Sequence, residues 1–223
     1  MKLAALFTGG KDSTYAIYLA QQAGHEIVCL ITLHSQNPDS YMFHTPAIEL
    51  TQLQAQAMDL PLLTETTKGE KEAELTDLKQ AIIDAQKQYE FAGVITGALF
   101  SEYQASRIAK INQELNLQTI NPLWHKPQEQ LMTELLHHKF QFIFTAVAAE
   151  GLDKTWLNKT ITFKDLQKLQ QIPGINLAGE GGEFESLVTN CPLFQKQLII
   201  EQAEIIEENK NTARLIIKKA RLQ

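Results

Sequence analysis

Cysteine is scarce in this chain. Cys29 and Cys191 are the two in 223 residues, they lie far apart, and no Cys-x-x-Cys occurs. Local zinc ligation and dithiol redox chemistry are thereby excluded, and Cys29, inside an apolar run, reads as a core residue. Positive charge is also short, with 20 Lys and Arg against 26 Asp and Glu for a net charge of −6. A chain that holds nucleic acid through its phosphates carries a basic excess, so no direct nucleic-acid partner is expected. No apolar stretch reaches the ~18 residues that a membrane span needs, and no basic-then-apolar leader opens the chain. The expectation is a soluble cytoplasmic protein with no membrane contact. Two familiar phosphate signatures are missing as well. There is no Gly-x-x-x-x-Gly-Lys-Ser/Thr, and no Gly-x-Gly-x-x-Gly follows the first apolar run. The Walker loop and the dinucleotide fingerprint both lose their support.

What is present is Thr8-Gly9-Gly10-Lys11-Asp12-Ser13. It follows the apolar run Leu3-Ala4-Ala5-Leu6-Phe7, a buried strand by pattern, and precedes Thr14-Tyr15-Ala16-Ile17-Tyr18-Leu19-Ala20, the first turns of a helix. Strand, glycine turn and helix together aim backbone N–H groups and a positive helix end at an anion. Paired glycines let a ligand approach the backbone with no Cβ in the way. Lys11 adds a cation, and Thr8 and Ser13 add hydroxyls. A turn with no ligand is the bland alternative. The hexapeptide resembles the pyrophosphate-binding loop of the N-type ATP pyrophosphatases, Ser-Gly-Gly-x-Asp-Ser, with Thr8 keeping the hydroxyl of the usual Ser. That resemblance implies cleavage of ATP between its α and β phosphates.

Strands are expected at 3–7, 26–32, 61–64 and 92–96. Helices are expected from residue 14, at 46–58 (Thr45 as cap and Pro46 in the first turn), at 71–89 and at 102–116. Leu75, Leu78, Ile82 and Ile83 give the third of these a buried face, as Ile108, Ile111 and Leu115 do for the fourth. The alternation predicts an α/β fold, a doubly wound parallel sheet with right-handed crossovers. Ligands of such sheets sit beyond the carboxyl ends of the strands. The hexapeptide, residues 33–44 and residues 97–103 are therefore expected to converge, with Thr32 and Gly97 beside the nucleotide. Asn121-Pro122-Leu123-Trp124 breaks the pattern. A nucleotide-binding domain is expected over 1–125 and a smaller α+β substrate-binding domain over 126–223. In the latter a helix is expected at 128–138, a strand at 140–147, a helix at 163–171, and a hairpin of 194–206 with 213–219 about a polar turn. Trp124 reads as packing at the junction.

Gly179-Glu180-Gly181-Gly182-Glu183-Phe184-Glu185-Ser186 packs three glycines and three carboxylates into eight residues. Glycine costs about 1 kcal/mol in a helix interior, so the run is a loop. A solvated acidic loop is one reading. The interleaved Phe184 and the strand-like Leu187-Val188 that follows favour another, in which the carboxylates point inward at a cation, an ammonium group or a metal.

Five runs then occur in one order: the hexapeptide, Ser40-Tyr41-Met42-Phe43-His44-Thr45, Gly97-Ala98-Leu99-Phe100-Ser101-Glu102-Tyr103-Gln104, Pro122-Leu123-Trp124, and the acidic loop. Together they resemble the diphthamide-synthase ATP-binding family, the diphthine–ammonia ligases, over essentially the whole chain. The likeness is to the short form of that family. The resemblance implies an ATP-dependent amidation of diphthine, a modified histidine on translation elongation factor 2, with ammonium as the nitrogen source. It implies ATP and Mg²⁺ as cofactors and admits a homodimer. Gly9, Gly10, Lys11 and Ser13 would hold phosphates. Asp12 would touch magnesium or simply serve as the helix's N-terminal carboxylate. Glu102, Tyr103, Gln104 and Arg107 would lie at the substrate side of the cleft. For Glu102 a helix-dipole role stands open, and for Arg107 an ordinary surface position does. His44 reads equally as a site residue or a packed loop histidine. Glu180, Gly181, Gly182, Glu183, Glu185 and Ser186 would hold the acceptor, with Glu183 and Glu185 as catalytic candidates alongside Lys11 and Asp12. Three roles stay unordered among the glutamates: holding a trimethylammonium, orienting ammonia, deprotonating ammonium.

Other readings share parts of this evidence. An ATP pyrophosphatase adenylating a different carboxylate keeps every motif. A tRNA thiolase shares the loop but needs reactive cysteines beside the nucleotide. A non-catalytic ATP-binding sensor needs the phosphate loop without the acidic one.

Overall fold

The computed structural model describes residues 1–37, 48–69 and 73–223. The run 40–45, including His44 and the Thr45 cap, and the start of the helix expected at 46 lie outside the described residues. A parallel sheet forms from β1 (Lys2–Leu6), β2 (Glu26–Ser35), β3 (Leu62–Thr67), β4 (Gly93–Ile95) and β5 (Gln118–Ile120), ordered β3-β2-β1-β4-β5. Between them run α1 (Lys11–Gln22), a short 3₁₀ turn Ile48–Leu50 leading into α2 (Thr51–Met58), α3 (Ala73–Gln88) and α4 (Glu102–Glu114). The chain winds outward from β1 in one direction and then returns to β4 on its other side. The crevice at this switch, beyond the carboxyl ends of β1 and β4, is where such sheets bind ligands. β5 carries no apolar run to announce it. It is a three-residue edge strand paired only to β4.

Side chains alternate across the sheet as the pleat requires. Leu3 and Ala5 face one core with Tyr15, Ile17 and Ile95, while Ala4 faces a second with Cys29, Leu78, Ile82 and Val94. Cys29 is fully buried, as its apolar run implied.

The second half holds α5 (Gln128–His137), β6 (Gln141–Ala148), α6 (Phe163–Leu169), β7 (Phe184–Asn190), β8 (Leu198–Asn209) and β9 (Thr212–Leu222), with an antiparallel sheet ordered β7-β6-β9-β8. The expected terminal hairpin is present as β8 and β9, but it begins at Leu198 rather than at 194. Residues 191–194 form a turn closed by the Phe194 amide on the Cys191 carbonyl, and Pro192 within it has no N–H to give a ladder. β7 likewise begins earlier than expected, at Phe184. Phe184 stacks on Phe144 of β6 at 4.0 Å and pairs with Val147, so the strand takes in Glu185 and Ser186.

One hydrophobic core crosses residue 125. Leu3, Phe7, Tyr15 and Ile17 share it with Leu131, Phe140, Phe142, Phe144, Phe184 and Val188. Tyr15 of α1 also donates to Glu134 Oε2 of α5 at 2.8 Å, and Lys126 holds the same oxygen. Among the described residues no helix is long and apolar enough to cross a membrane.

Candidate active site

The hexapeptide lies directly after β1, and its geometry is set by backbone contacts. Gly9 has φ +78°, a left-handed conformation that glycine alone adopts freely, and a Cβ there would stand 2.1 Å from Gln54 Oε1. Gly10 is the N-cap of α1 and has no side chain to occupy the helix end. Gly97, in the loop after β4, approaches so closely that a Cβ would fall 2.8 Å from the Ser13 amide nitrogen. The two loops of the switch point therefore meet backbone to backbone. The Thr8 and Ser13 hydroxyls lie 3.1 Å apart and Thr14 Oγ1 donates to the Gly10 carbonyl, which ties the loop to the first turn of α1. Thr32 stands in β2 with its hydroxyl donated to the Phe7 carbonyl at 2.6 Å, so its visible role is to join β2 to β1.

The acidic run folds over this helix end. Gly179 has φ +78°, and a Cβ would meet the Phe184 carbonyl at 2.9 Å, so the turn doubles back on the start of β7. Ser186 Oγ accepts from the Lys11 amide at 3.2 Å, and the Val188 amide donates to the Gly9 carbonyl at 3.0 Å. Strand β7 is thus stitched along the hexapeptide loop. Opposite it, β6 carries an extra residue, Thr145, between the pairs Phe144–Ser186 and Ala146–Glu185. Bulges of this kind recur beside sites, where they re-aim side chains.

A cleft of about 520 Å³ results, lined by Lys11, Asp12, Ser101, Gln104, Glu180, Gly181, Gly182, Glu185 and Ser186 among others. A smaller hollow of about 190 Å³ adjoins it at the switch point, between Thr8, Asp12 and Ser13 after β1 and Thr96, Gly97 and Ala98 after β4. Asp12, Gln104 and Glu180 line both, so the two spaces share a wall.

Within the cleft the charges are arranged unequally. The Lys11 side chain is buried, with its ammonium 2.7 Å from Asp12 Oδ2, bonded to the Ala178 carbonyl, and 5.5 Å from the Phe184 ring centre. Asp12 Oδ1 is buried and has no hydrogen-bond partner among the described residues. Burial pushes the Glu185 carboxyl up to about 7; the Lys11 ammonium opposes the shift, while Asp12 and Glu180 add to it. Burial likewise raises Glu180, helped by Asp12, although Glu180 stays exposed at the mouth of the cleft. Glu183 behaves differently. Its Oε2 accepts from the Gly181 amide at 2.8 Å, so this carboxylate closes the turn on itself.

The remaining candidates separate. Ser101 caps α4 by accepting from the Gln104 amide, and both residues reach the cleft. Glu102 is exposed, 3.9 Å from His125 Nε2. Tyr103 lies under the Arg107 guanidinium, 3.5 Å from ring centre to charge. Arg107 lines a different hollow, between α3 and α4, with Lys79 and Lys110. Trp124 stacks on His125 at 4.6 Å. Two contributors were not legible beforehand. Gln54 touches Gly9 from α2, where it is one of three similar glutamines, and Ser101 stood in the run Gly97 to Gln104 without a role of its own.

A magnesium ion takes oxygen ligands and usually keeps several waters, needing one or two carboxylates beside substrate phosphates. The unpartnered Asp12 Oδ1 at the helix end fits that requirement. Among the described residues no group of three His, Cys, Asp or Glu is placed to hold a metal by itself.

Residues 1–119 match the diphthamide synthase N-terminal domain and residues 127–222 the diphthamide synthase C-terminal domain. The diphthine–ammonia ligase of Homo sapiens is 35% identical over 227 residues, covering 92% of this chain and 85% of the human protein. That of Schizosaccharomyces pombe is 32% identical and matches over 94% of this chain but only 38% of its own length. A solved structure, the predicted subunit of tRNA methyltransferase from Methanocaldococcus jannaschii, is 17% identical with a TM-score of 0.45, covering 86% of this chain and 98% of that one. Two domain matches in sequence order and identity above 30% across nearly the full chain lead to one conclusion: the chain belongs to the diphthamide synthase family.

Proposed function

We propose that this protein amidates the carboxylate of diphthine on translation elongation factor 2, consuming ATP and ammonium and releasing AMP and pyrophosphate. The observation that carries the reading is the stitching of β7 to the phosphate loop. It puts Glu185, a carboxyl that titrates near neutrality, in one cleft with Lys11 and Asp12.

The chemistry follows from the layout. A carboxylate resists attack by an amine until one of its oxygens becomes a leaving group. An acceptor carboxylate oxygen attacks the α-phosphorus of ATP, the bond to the β-phosphate oxygen breaks, and an acyl-adenylate and pyrophosphate form. Lys11 and the first-turn amides of α1 offset the charge that collects on the leaving pyrophosphate. Magnesium held at Asp12 would add further charge neutralisation there. Ammonium must lose a proton before its nitrogen can attack. Glu185, raised to about 7, accepts that proton and remains a usable base near neutral pH. Ammonia then adds to the acyl carbon, AMP departs with the bonding pair, and the nitrogen releases a second proton, to the departing AMP phosphate or to solvent, to leave the amide. Glu180 at the mouth offers a negative charge to a cationic acceptor, and Glu183 holds the turn that presents it. We place the nucleotide in the smaller hollow beside Gly97 and the acceptor in the larger cleft. We assign residues 1–125 to the first task and 126–223 to the second, in a cytoplasmic protein.

The test is ATP:pyrophosphate exchange and AMP release with magnesium and ammonium, with and without diphthine-bearing elongation factor 2. AMP formed only with that acceptor, together with conversion of its carboxyl to an amide by mass spectrometry, is the expected result. AMP formed with some other carboxylate would keep the chemistry and reject the acceptor.

A further inference from the structure

We infer that Gln54 is a positioning residue that holds the phosphate loop and the Glu185 strand at one fixed spacing, so that the adenylate made on the first is captured by the amine activated on the second. The inference rests on the amidation reading above.

Gln54 sits in α2 and is completely buried. Both hydrogens of its side-chain amide are spent at the junction of the two halves. Nε2 donates to the Gly9 carbonyl at 2.9 Å and to the Val188 carbonyl at 2.8 Å. The Val188 amide donates to the same Gly9 carbonyl at 3.0 Å, so two donors, one from α2 and one from β7, converge on one oxygen of the phosphate loop. Two residues before Val188, Ser186 holds the Lys11 amide. One residue before that is Glu185, in the cleft. A shift of Gln54 therefore moves the loop that carries ATP relative to the strand that carries the base. Gln54 Oε1 has no hydrogen-bond partner among the described residues and lies against Gly9, where a Cβ would be 2.1 Å away. Only a neutral amide of this length brings two donors to two carbonyls, because a carboxylate there would face both with like partial charge.

Loss of this spacing has a distinct chemical signature. Water adding to the acyl carbon of the adenylate breaks the acyl–oxygen bond to phosphate and returns the carboxylate and AMP, with no amide made. AMP then exceeds amide.

The experiment measures AMP and amide in the same reaction for wild type, Gln54→Met and Gln54→Glu, with pyrophosphate exchange as a separate readout. Wild type should give one AMP per amide. Gln54→Met should keep exchange within about threefold and lose about ten- to a hundredfold in amide formed per AMP, the scale expected of a small misplacement. Gln54→Glu should behave likewise at high pH. It should recover part of its coupling relative to wild type as pH falls, because a protonated carboxyl donates one hydrogen bond. Equal losses of AMP and amide in both variants would overturn the inference and leave Gln54 a packing residue. Failure of both near-isosteric variants to fold would overturn it in the same way. Wild type making no amide would instead overturn the proposed function.

Discussion

Ser186 Oγ accepts a hydrogen bond from the Lys11 amide at 3.2 Å, which makes a residue of the second sheet the cap of α1. The helix end has no cap of its own, since Gly10 carries no side chain. The strand that supplies the cap also supplies Glu185 to the cleft. The glycine loop after β1 and the start of β7 are parts of one hydrogen-bonded unit.

Glu185 is destabilising when ionised. Its folded value of about 7 lies above its ordinary 4.5, so the folded state binds the proton more tightly. Its favourable contribution is complete below pH 4.5 and is lost as pH rises through about 7. Glu185→Gln should therefore raise the melting temperature by a few degrees at pH 8 and change it little near pH 4. Equal shifts at both values would contradict the assignment. The same variant should lose the rise of amidation rate with pH near neutrality.

Lys11 opposes the upward shift of Glu185. Lys11→Met should therefore move the Glu185 titration above about 7, besides abolishing pyrophosphate exchange. Proton titration of the Glu185 side chain by NMR would show this directly. An unmoved midpoint would mean that the two groups do not sense one another.

Gly97 and Gly182 differ in why they are glycine. A Cβ at Gly97 would meet backbone atoms of Asp12 and Ser13 at 2.8–2.9 Å, whereas Gly182 has open space and a φ of +85°. Gly97→Ala should cost about 1–3 kcal/mol and weaken ATP binding, because it pushes the helix end away. Gly182→Ala should cost about 1 kcal/mol from backbone strain and leave ATP affinity nearly intact. Isothermal titration of the two variants with ATP separates the cases.

Tyr15 bonds Glu134 across the two halves at 2.8 Å and lies 3.0 Å from His138 Nδ1. Burial and the neighbouring Glu134 hold its phenol protonated throughout the working range. Tyr15→Phe should cost about 1–2 kcal/mol at every pH. Because the core is continuous, circular dichroism and tryptophan fluorescence should report one urea transition in both proteins. Two separated transitions would show that the halves unfold independently.

Local chemistry made the phosphate loop readable. An apolar run, paired glycines and a helical pattern are adjacent in the chain, and each acts through neighbouring backbone. The acidic run was readable as a loop of inward carboxylates for the same reason, yet the sequence left three roles unordered among its glutamates. What separates them is the start of β7. Phe184 stacks on Phe144 and brings Glu185 onto the strand, while Glu183 remains in the turn on the Gly181 amide. Strand β5 was not readable, because three residues of mixed polarity give no period.

The amino-acid sequence by itself therefore determined the α/β alternation, the glycine turn between β1 and α1 and the order of the motifs, since periodicity and glycine placement act over a few residues. Tertiary structure alone decided that Gln54 bridges Gly9 and Val188, that Ser186 caps α1, and which carboxyl is raised in pKa. Those properties depend on burial and on partners far away in the chain: 134 residues separate Gln54 from Val188, and 175 separate Lys11 from Ser186. No local pattern encodes the desolvation or the hydrogen bond that arises only when such segments meet.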